Sequence, residues 1–540
     1  MMRQGLRRWY IGTSLLFGLL FVTVWLAPWL ELLRLPSGWQ AWEEWPRLIA
    51  LGQTSLLLTV LTMAMTFPIG LFLAVGLTRW PVIGHRLLLV CTFLVLLIPL
   101  PLISSGWVLF WQAMGWPITL AQPPRLLACA AMHAQSALPA FVLMVAFGLR
   151  NLEPELEEEA SLAGSPWNVF WHVTFPRLRP ILGLALGWTA LCTWNEITIT
   201  DMLQLRTFGE EVYTQLMTGE AELARAVAVT LPMTLLLGWL VWRLLQTWRV
   251  ASLERFTWLR THYTETHFRG RAVWSLLAWL WFAGPWLIPI GSLVYQAGLV
   301  YSPASPPLFQ WAMVWQQMSE QAVRQGTGLL AQLGWSLLTG LLCVCIALIA
   351  AWLMRHSRWF DQFVWLLAAL VAATPGPLLG LGMQTVILQV IQWPGGAWLR
   401  MPLYDGPSPC PNIWVGVIRF FPVALAALWW LVRRVPHAWE EAAAMEGASP
   451  GQRLYLSYVR PLGMVSMALA VLVAAFALGE ISAGKIVSTP GYMPLSHLIF
   501  QQMHASADAE LASLCLVMML LVGGLAGLTL GLLRWGRPIQ

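Results

Sequence analysis

Charge is scarce in this chain. Only 10% of its 540 residues are Asp, Glu, Lys or Arg, and Lys485 is the single lysine, whereas an ordinary soluble domain is about a quarter charged. So little ionic surface excludes a water-exposed globular enzyme. Cysteine provides no framework either, because Cys91, Cys129, Cys192, Cys343, Cys345, Cys410 and Cys515 are odd in number and mostly lie in apolar runs. Neither a disulfide scaffold nor a zinc site is indicated. Cys343 and Cys345 stand two apart on an expected helix, so they point away from each other. Also missing is the alternation over about ten residues that an outer-membrane barrel needs. A phosphate cradle is lacking too: Gly479 to Lys485 reads GxxxxGK, but Ile486 replaces the hydroxyl residue that holds magnesium, and no strand precedes it.

What is present is apolar. Hydrophobic residues make up 58% of the chain, enough for a dozen helices of about 20 residues each. Apolar runs predict spans near 9–31, 50–76, 85–112, 126–149, 179–201 and 223–247, then near 272–297, 328–354, 362–391, 413–433, 462–484 and 510–533. The first run follows Arg3, Arg7 and Arg8 and reads as an uncleaved signal anchor rather than a signal peptide. Most arginines fall on one side if both termini are cytoplasmic, as the positive-inside rule requires. The fold class expected is an all-α polytopic membrane protein of about twelve transmembrane helices. Tryptophans near span ends, among them Trp29, Trp45, Trp107, Trp111, Trp242, Trp248, Trp352 and Trp535, suit interfacial anchors.

The chain also repeats itself. Pro99, Pro101 and Leu102 match Pro375, Pro377 and Leu378 at a spacing of 276; Pro139 and Arg150 match Pro422 and Arg433 at 283; Glu196 matches Glu480 at 284. With six spans per half, the copies share one orientation and form a parallel repeat. The first half is then 1–248, with a long inner loop at about 152–178. A polar, Arg-rich linker follows at 249–271, and the second half is 272–540, with its loop at about 435–461.

Each loop reads as an acid-rich, Ala-rich helix, a Gly break and a Ser-Pro start. Ser165 and Ser449 suit an N-cap, and Pro166 and Pro450 the first helical position. Apolar residues follow: Trp167, Val169, Phe170 and Val173 in one loop, Leu454, Leu456, Tyr458 and Val459 in the other. An apolar helix end in a water-facing loop needs a partner surface.

These loops resemble the EAA motif of type I permease subunits in binding-protein-dependent ABC importers. The second copy fits at Glu441, Ala442, Ala443 and Gly447, although Pro461 comes one residue late and Arg460 stands where Pro is usual. The first is looser, with Glu159, Ala160 and Gly164 as the best match and a one-residue deletion. The resemblance implies that the loops couple to a homodimeric ATP-binding subunit, which would hold ATP and magnesium. This chain would then be a transport permease with no cofactor of its own and no catalytic residue, in the bacterial inner membrane. A soluble periplasmic or extracellular substrate-binding protein would be the other partner, alongside the lipid bilayer, and no nucleic acid is implied. Outer-loop acids, including Glu43, Glu44, Glu210 and Glu211, suit docking by basic patches of that protein. Both halves in one chain, the run Ala477 to Ser482, and Ser488-Thr489-Pro490-Gly491 before Leu495 look like fused ferric-iron permeases, with thiamine permeases near relatives.

Ionisable groups inside hydrocarbon are costly and default to function. Glu196 and Glu480, flanked by Asn195 and Ser482, fall late in the fifth span of each half. Facing carboxylates there would offer hard ligands to a trivalent cation; the alternative is a structural role at a helix end. Arg419 suits a pair with an acid such as Glu480, and His133 suits a satisfied interior position or the pathway. Two other classes stay open. A secondary transporter would show interrupted helices with paired acids at mid-membrane, and a membrane scaffold would show no polar lining.

Overall fold

The computed structural model describes residues 2–79, 82–115, 124–216, 219–255, 271–302, 305–504 and 508–535. The protein is an all-α polytopic membrane protein. Among the described residues, nine helices are long and apolar enough to cross a bilayer: Arg7–Arg34, Trp45–Thr78, Pro124–Arg150, Glu222–Arg249, Arg271–Ala297, Gly326–His356, Cys410–Arg434, Pro450–Leu478 and Asp508–Trp535. Two helix pairs pass the same test jointly but bend at a short break, His85–Leu96 with Leu100–Ala113 at 96° and Arg358–Ala373 with Gly376–Gln392 at 111°. Counting each pair as one span gives 11. The stretch 179–201 accounts for the difference from the expected layout. Helix Phe175–Asn195 has 21 residues, but Arg177, Arg179, Pro180 and Asn195 dilute its apolar run. The expected linker at 249–271 falls largely outside the described residues, since the preceding helix runs to Arg255 and description resumes at Arg271.

Proline sets both bends. Pro99 (φ −62°, ψ 143°) and Pro375 (φ −55°, ψ 142°) are extended and precede helices with Pro101 and Pro377 in their first turns. A proline has no N–H to continue the preceding helix and holds its neighbour out of helical conformation, so the chain must restart. The sequence repeat at a spacing of 276 is therefore the repeat of a broken helix. At the second break Arg419 donates to the carbonyl of Thr374 at 2.8 Å, and Trp25 Nε1 donates to its hydroxyl at 3.1 Å. Polar partners of this kind are what broken backbone needs at membrane depth.

The compact units do not follow the sequence halves. One comprises Met1–Trp45, Gly209–Trp239 and Ala297–Gln540, the other Pro46–Phe208 and Leu240–Gln296. The first span therefore belongs to the unit that holds most of the second half, and nearly all of Arg271–Ala297 to the unit that holds most of the first.

In the first unit, helices Gly326–His356, Cys410–Arg434 and Arg460–Leu478 pack together. A Cβ on Gly340 would collide with the carbonyl oxygen of Ala470, so only glycine allows this approach. Lipid supplies no hydrophobic drive between helices, and small residues at contacts let van der Waals packing do the work. Phe17 and Phe21 of the first span are fully buried edge-on against Phe421, with centroids 5.2 and 4.8 Å away. Trp352 was expected at an interface but is fully buried. A short antiparallel hairpin, Leu299–Ser302 with Ser305–Phe309, also lies here, with Leu299 opposite Phe309. In the second unit, helix Pro124–Arg150 packs on Phe175–Asn195. Its core gathers Leu58, Leu126, Cys129, Met132, Ile199 and Leu203.

Candidate functional site

The second loop opens with helix His437–Met445, turns at Gly447 (φ +83°), and restarts as Pro450–Leu454. Ser449 caps the restart in a reciprocal box with Gln452: Gln452 N donates to Ser449 Oγ at 3.5 Å, and Ser449 N to Gln452 Oε1 at 2.8 Å. A π turn, Tyr455–Val459, then leads into Arg460–Leu478. The loop is fastened by Glu440. This buried carboxylate accepts from Tyr458 Oη at 2.6 Å and Trp352 Nε1 at 3.2 Å and lies 3.0 Å from His356 Nε2. Burial alone would raise its pKa; hydrogen bonds from His356, Tyr458 and Trp352 and the charge of His356 outweigh burial and hold it at about 2. Beside it, Arg355 donates to the carbonyl of Val432 at 2.7 Å and to Tyr458 Oη at 3.2 Å.

The first loop is built likewise. Helix Pro154–Ala163 is followed by Gly164, Pro166–Val169, a π turn at Phe170–Thr174 and then Phe175–Asn195. Its fastening acid is Glu157, 2.9 Å from Arg79 Nε and accepting from Thr174 Oγ1 at 2.8 Å. Arg79 also donates to the carbonyl of Leu149 at 2.8 Å. Arg79, Leu149, Glu157 and Thr174 thus answer Arg355, Val432, Glu440 and Tyr458 at the spacings of the sequence repeat.

These fastening residues were not singled out from sequence. Runs of glutamate hide which one turns inward, and the detectable signal was the shared spacing of 283 between Glu157 and Glu440. That spacing puts Glu158, not Glu159, at the place of Glu441, and it relates Gly164 to Gly447. The one-residue difference therefore follows the glycine, before Pro166 and Pro450. Glu159 and Glu441 are exposed, as are Ala442 and Gly447, while Ala160, Ala443, Gly164 and Pro450 are half-buried. Gly164 is in extended backbone (φ −147°), open to any residue, unlike Gly447. The outward apolar side chains also differ from expectation. Leu454 and Tyr458 turn into the protein, and the exposed ones are Trp439, Met445 (84%), Tyr455 and Leu456 in the second loop and Leu162 (89%), Trp167 and Trp171 in the first.

Glu196 and Glu480 are also placed equivalently, and both are engaged. The helix before each ends just upstream, at Asn195 and Leu478, and each carboxylate turns back on the next short helix. Glu196 accepts from the backbone N–H groups of Thr198 and Ile199, the latter at 2.9 Å, and lies 3.4 Å from His133 Nε2. His133 Nδ1 contacts the Cys129 carbonyl at 2.8 Å, and Asn195 is buried nearby in sequence. Glu480 accepts from Ser482 Oγ at 2.9 Å and from the N–H groups of Ala483 and Gly484 at 3.0 and 2.9 Å. Carboxylates are favoured at such N–H clusters. The expected pair between Arg419 and Glu480 is not formed, because the loop itself takes both Glu480 oxygens and Arg419 turns to Thr374. A cavity of about 40 Å³ beside Glu480, lined by Gln332, Ser336, Thr339 and Asn412, has room for a few waters. Burial pushes the nearby His497 imidazole down to about 4, against the opposing pull of Glu480. No group of three or more metal-ligating side chains occurs among the described residues. Of the outer acids, Glu210 and Glu211 are buried rather than presented on a rim.

Fold and loops define a multi-pass membrane protein with paired, separately fastened loops. No family model matches the chain, and no solved structure does. A stretch of 67 residues is 42% identical to a probable sulfate transport system permease protein, cysT, of Marchantia polymorpha. The match covers 12% of this chain and 23% of that relative's length.

Proposed function

We propose that the chain is the membrane channel subunit of a binding-protein-dependent ABC importer, working by alternating access as separate ATP-binding subunits act on its two loops. The observation that carries this reading is the shared construction of the loops. Each has an acid-fastened helix, a break, a short helix and a π turn, and each presents large apolar side chains outward. Fastening by Glu157 and Glu440 ties each loop to the arginine-bearing end of a preceding helix, so force on the loop reaches the helices.

The cargo we propose is a small oxyanion such as sulfate, the solute in the relative's name, rather than ferric iron or thiamine. Glu196 and Glu480 spend their oxygens on backbone N–H groups, which removes the ligands that motivated a hard cation. The two broken helices are a feature shared with ion-driven transporters. The Glu480 loop packs on the second of these breaks, Ser482 lying against Gly376, but the carboxylates of Glu196 and Glu480 are already taken by neighbouring backbone N–H groups, so acids free to bind a coupling ion do not support that reading.

The test is ATP hydrolysis by the chain assembled in nanodiscs with its ATP-binding subunits. Addition of a sulfate-loaded binding protein should raise turnover severalfold. No response to any loaded binding protein, or uptake in proteoliposomes driven by an ion gradient without ATP, would overturn the proposal.

A further inference from the structure

A groove of about 370 Å³ runs between the first span and helix Gly326–His356. Arg8 lies at one end, and Trp9, Gly12, Thr13, Leu16, Ile346 and Ile349 line the rest. Both helices are membrane spans, and the residues flanking the groove, Ile11, Leu15 and Leu342, are exposed. In a bilayer such an apolar opening meets acyl chains. Nothing lies within 4 Å of a Cβ built on Gly12, so the missing side chain leaves the groove open. Arg8 is exposed and has no hydrogen bond or ion pair among the described residues. One cation at the head of an apolar channel complements one phosphodiester on a hydrocarbon tail. We infer that this groove is a binding site for an anionic phospholipid, its phosphate on Arg8 and one acyl chain along Gly12, Leu16 and Ile349.

The site touches the second loop. The Trp9 ring stands edge-on to Trp352, centroids 5.5 Å apart, and Trp352 Nε1 donates to Glu440. Trp9 also lies 3.7 Å from where a Cβ on Gly451 would be, at the start of the loop's second helix. A chain seated in the groove packs on Trp9 and so braces Trp352, Glu440 and Gly451. Lipid binding does not depend on the transport reading; only a consequent effect on ATP hydrolysis does.

Native mass spectrometry of the purified chain, titrated with phosphatidylglycerol or with phosphatidylcholine of the same acyl chains, tests the site. The wild type should retain one phosphatidylglycerol with about fivefold preference, the value of one basic residue near an anionic surface. Arg8→Gln should lose the preference, Arg8→Lys should keep it, and Gly12→Leu, which fills open space, should weaken both lipids. Millimolar inorganic phosphate should not displace the lipid. Equal binding of the two lipids, a preference unchanged in Arg8→Gln, or displacement by inorganic phosphate would overturn the assignment. A second reading is hydrogen exchange of residues 437–454 in nanodiscs, which should slow when phosphatidylglycerol replaces phosphatidylcholine in the wild type but not in Arg8→Gln. Slowing of equal size in both would also overturn it.

Discussion

Removing the Glu440 side chain should loosen the second loop without disturbing the spans. Glu440→Ala strips the acceptor from Tyr458 Oη, Trp352 Nε1 and His356 Nε2, all at 3.2 Å or less. Leaving a buried donor unsatisfied costs about 1–3 kcal/mol. The three losses do not add fully, because water enters the vacated space and Tyr458 keeps its contact with Arg355. A net of about 3 kcal/mol is a reasonable magnitude, equivalent to a roughly 100-fold rise in local opening. Hydrogen exchange of residues 437–447 reads this directly. Glu440→Gln keeps an acceptor oxygen and should fall between wild type and Ala. Exposed Glu441→Ala should stay within about 0.5 kcal/mol of wild type. If Glu440→Ala exchanges no faster than Glu441→Ala, the fastening role is refuted.

Acidification should act through the same group. Its pKa is lowered from 4.5 to about 2 in the folded protein, so the stabilisation, roughly 3 kcal/mol, is full above pH 4.5 and is lost as pH falls toward 2; exchange of residues 437–447, corrected for intrinsic rates, should rise as pH falls below 4.5. Gly447→Ala should cost about 1 kcal/mol by forcing a Cβ into positive φ, whereas Gly164→Ala, in extended backbone, should be neutral, as read by exchange across each loop. Glu196→Gln should lower the yield of folded protein along with uptake, because it breaks the buried pair with His133, and Glu480→Gln, whose carboxylate accepts from Ser482, Ala483 and Gly484 of its own loop, should be milder. Normal yield with lost uptake in both variants would return these acids to the transport pathway.

Much of this molecule was legible because lipid simplifies the code. Spans need only length and apolarity, and among the described residues 11 appear where apolar runs predict them, two as bent pairs. Pro99 and Pro375 stood out as repeat markers, yet their meaning as breaks did not, since a proline inside an apolar run is compatible with a continuous kinked span. Residues 179–201 failed as a simple span because Arg177, Arg179, Pro180 and Asn195 dilute the apolar run, and a carboxylate that caps a short helix looks in sequence like a carboxylate waiting for cargo. Within the loops, the Gly break and Ser-Pro restart were readable from local chemistry. Which glutamate turns inward was not, because it depends on Arg79, Trp352 and His356, contributed from a preceding span, and on Thr174 and Tyr458 at the far end of each loop. Trp352 shows the same dependence: near a span end it reads as an interfacial anchor, but Trp9 and Glu440 enclose it. The crossing of each half's first helix into the other compact unit left no trace in hydropathy at all.

The central claim is that the loops receive an ATP-binding subunit on their exposed apolar side chains, and the direct measurement is the affinity of that subunit for the chain in nanodiscs. Met445→Asp and Leu456→Asp place charge on the outward face without touching Glu440, Ser449 or Gln452. Each should weaken binding about tenfold or more, as expected for a central apolar contact, while exchange within the spans stays as in the wild type. Affinity unchanged in both variants would contradict the account.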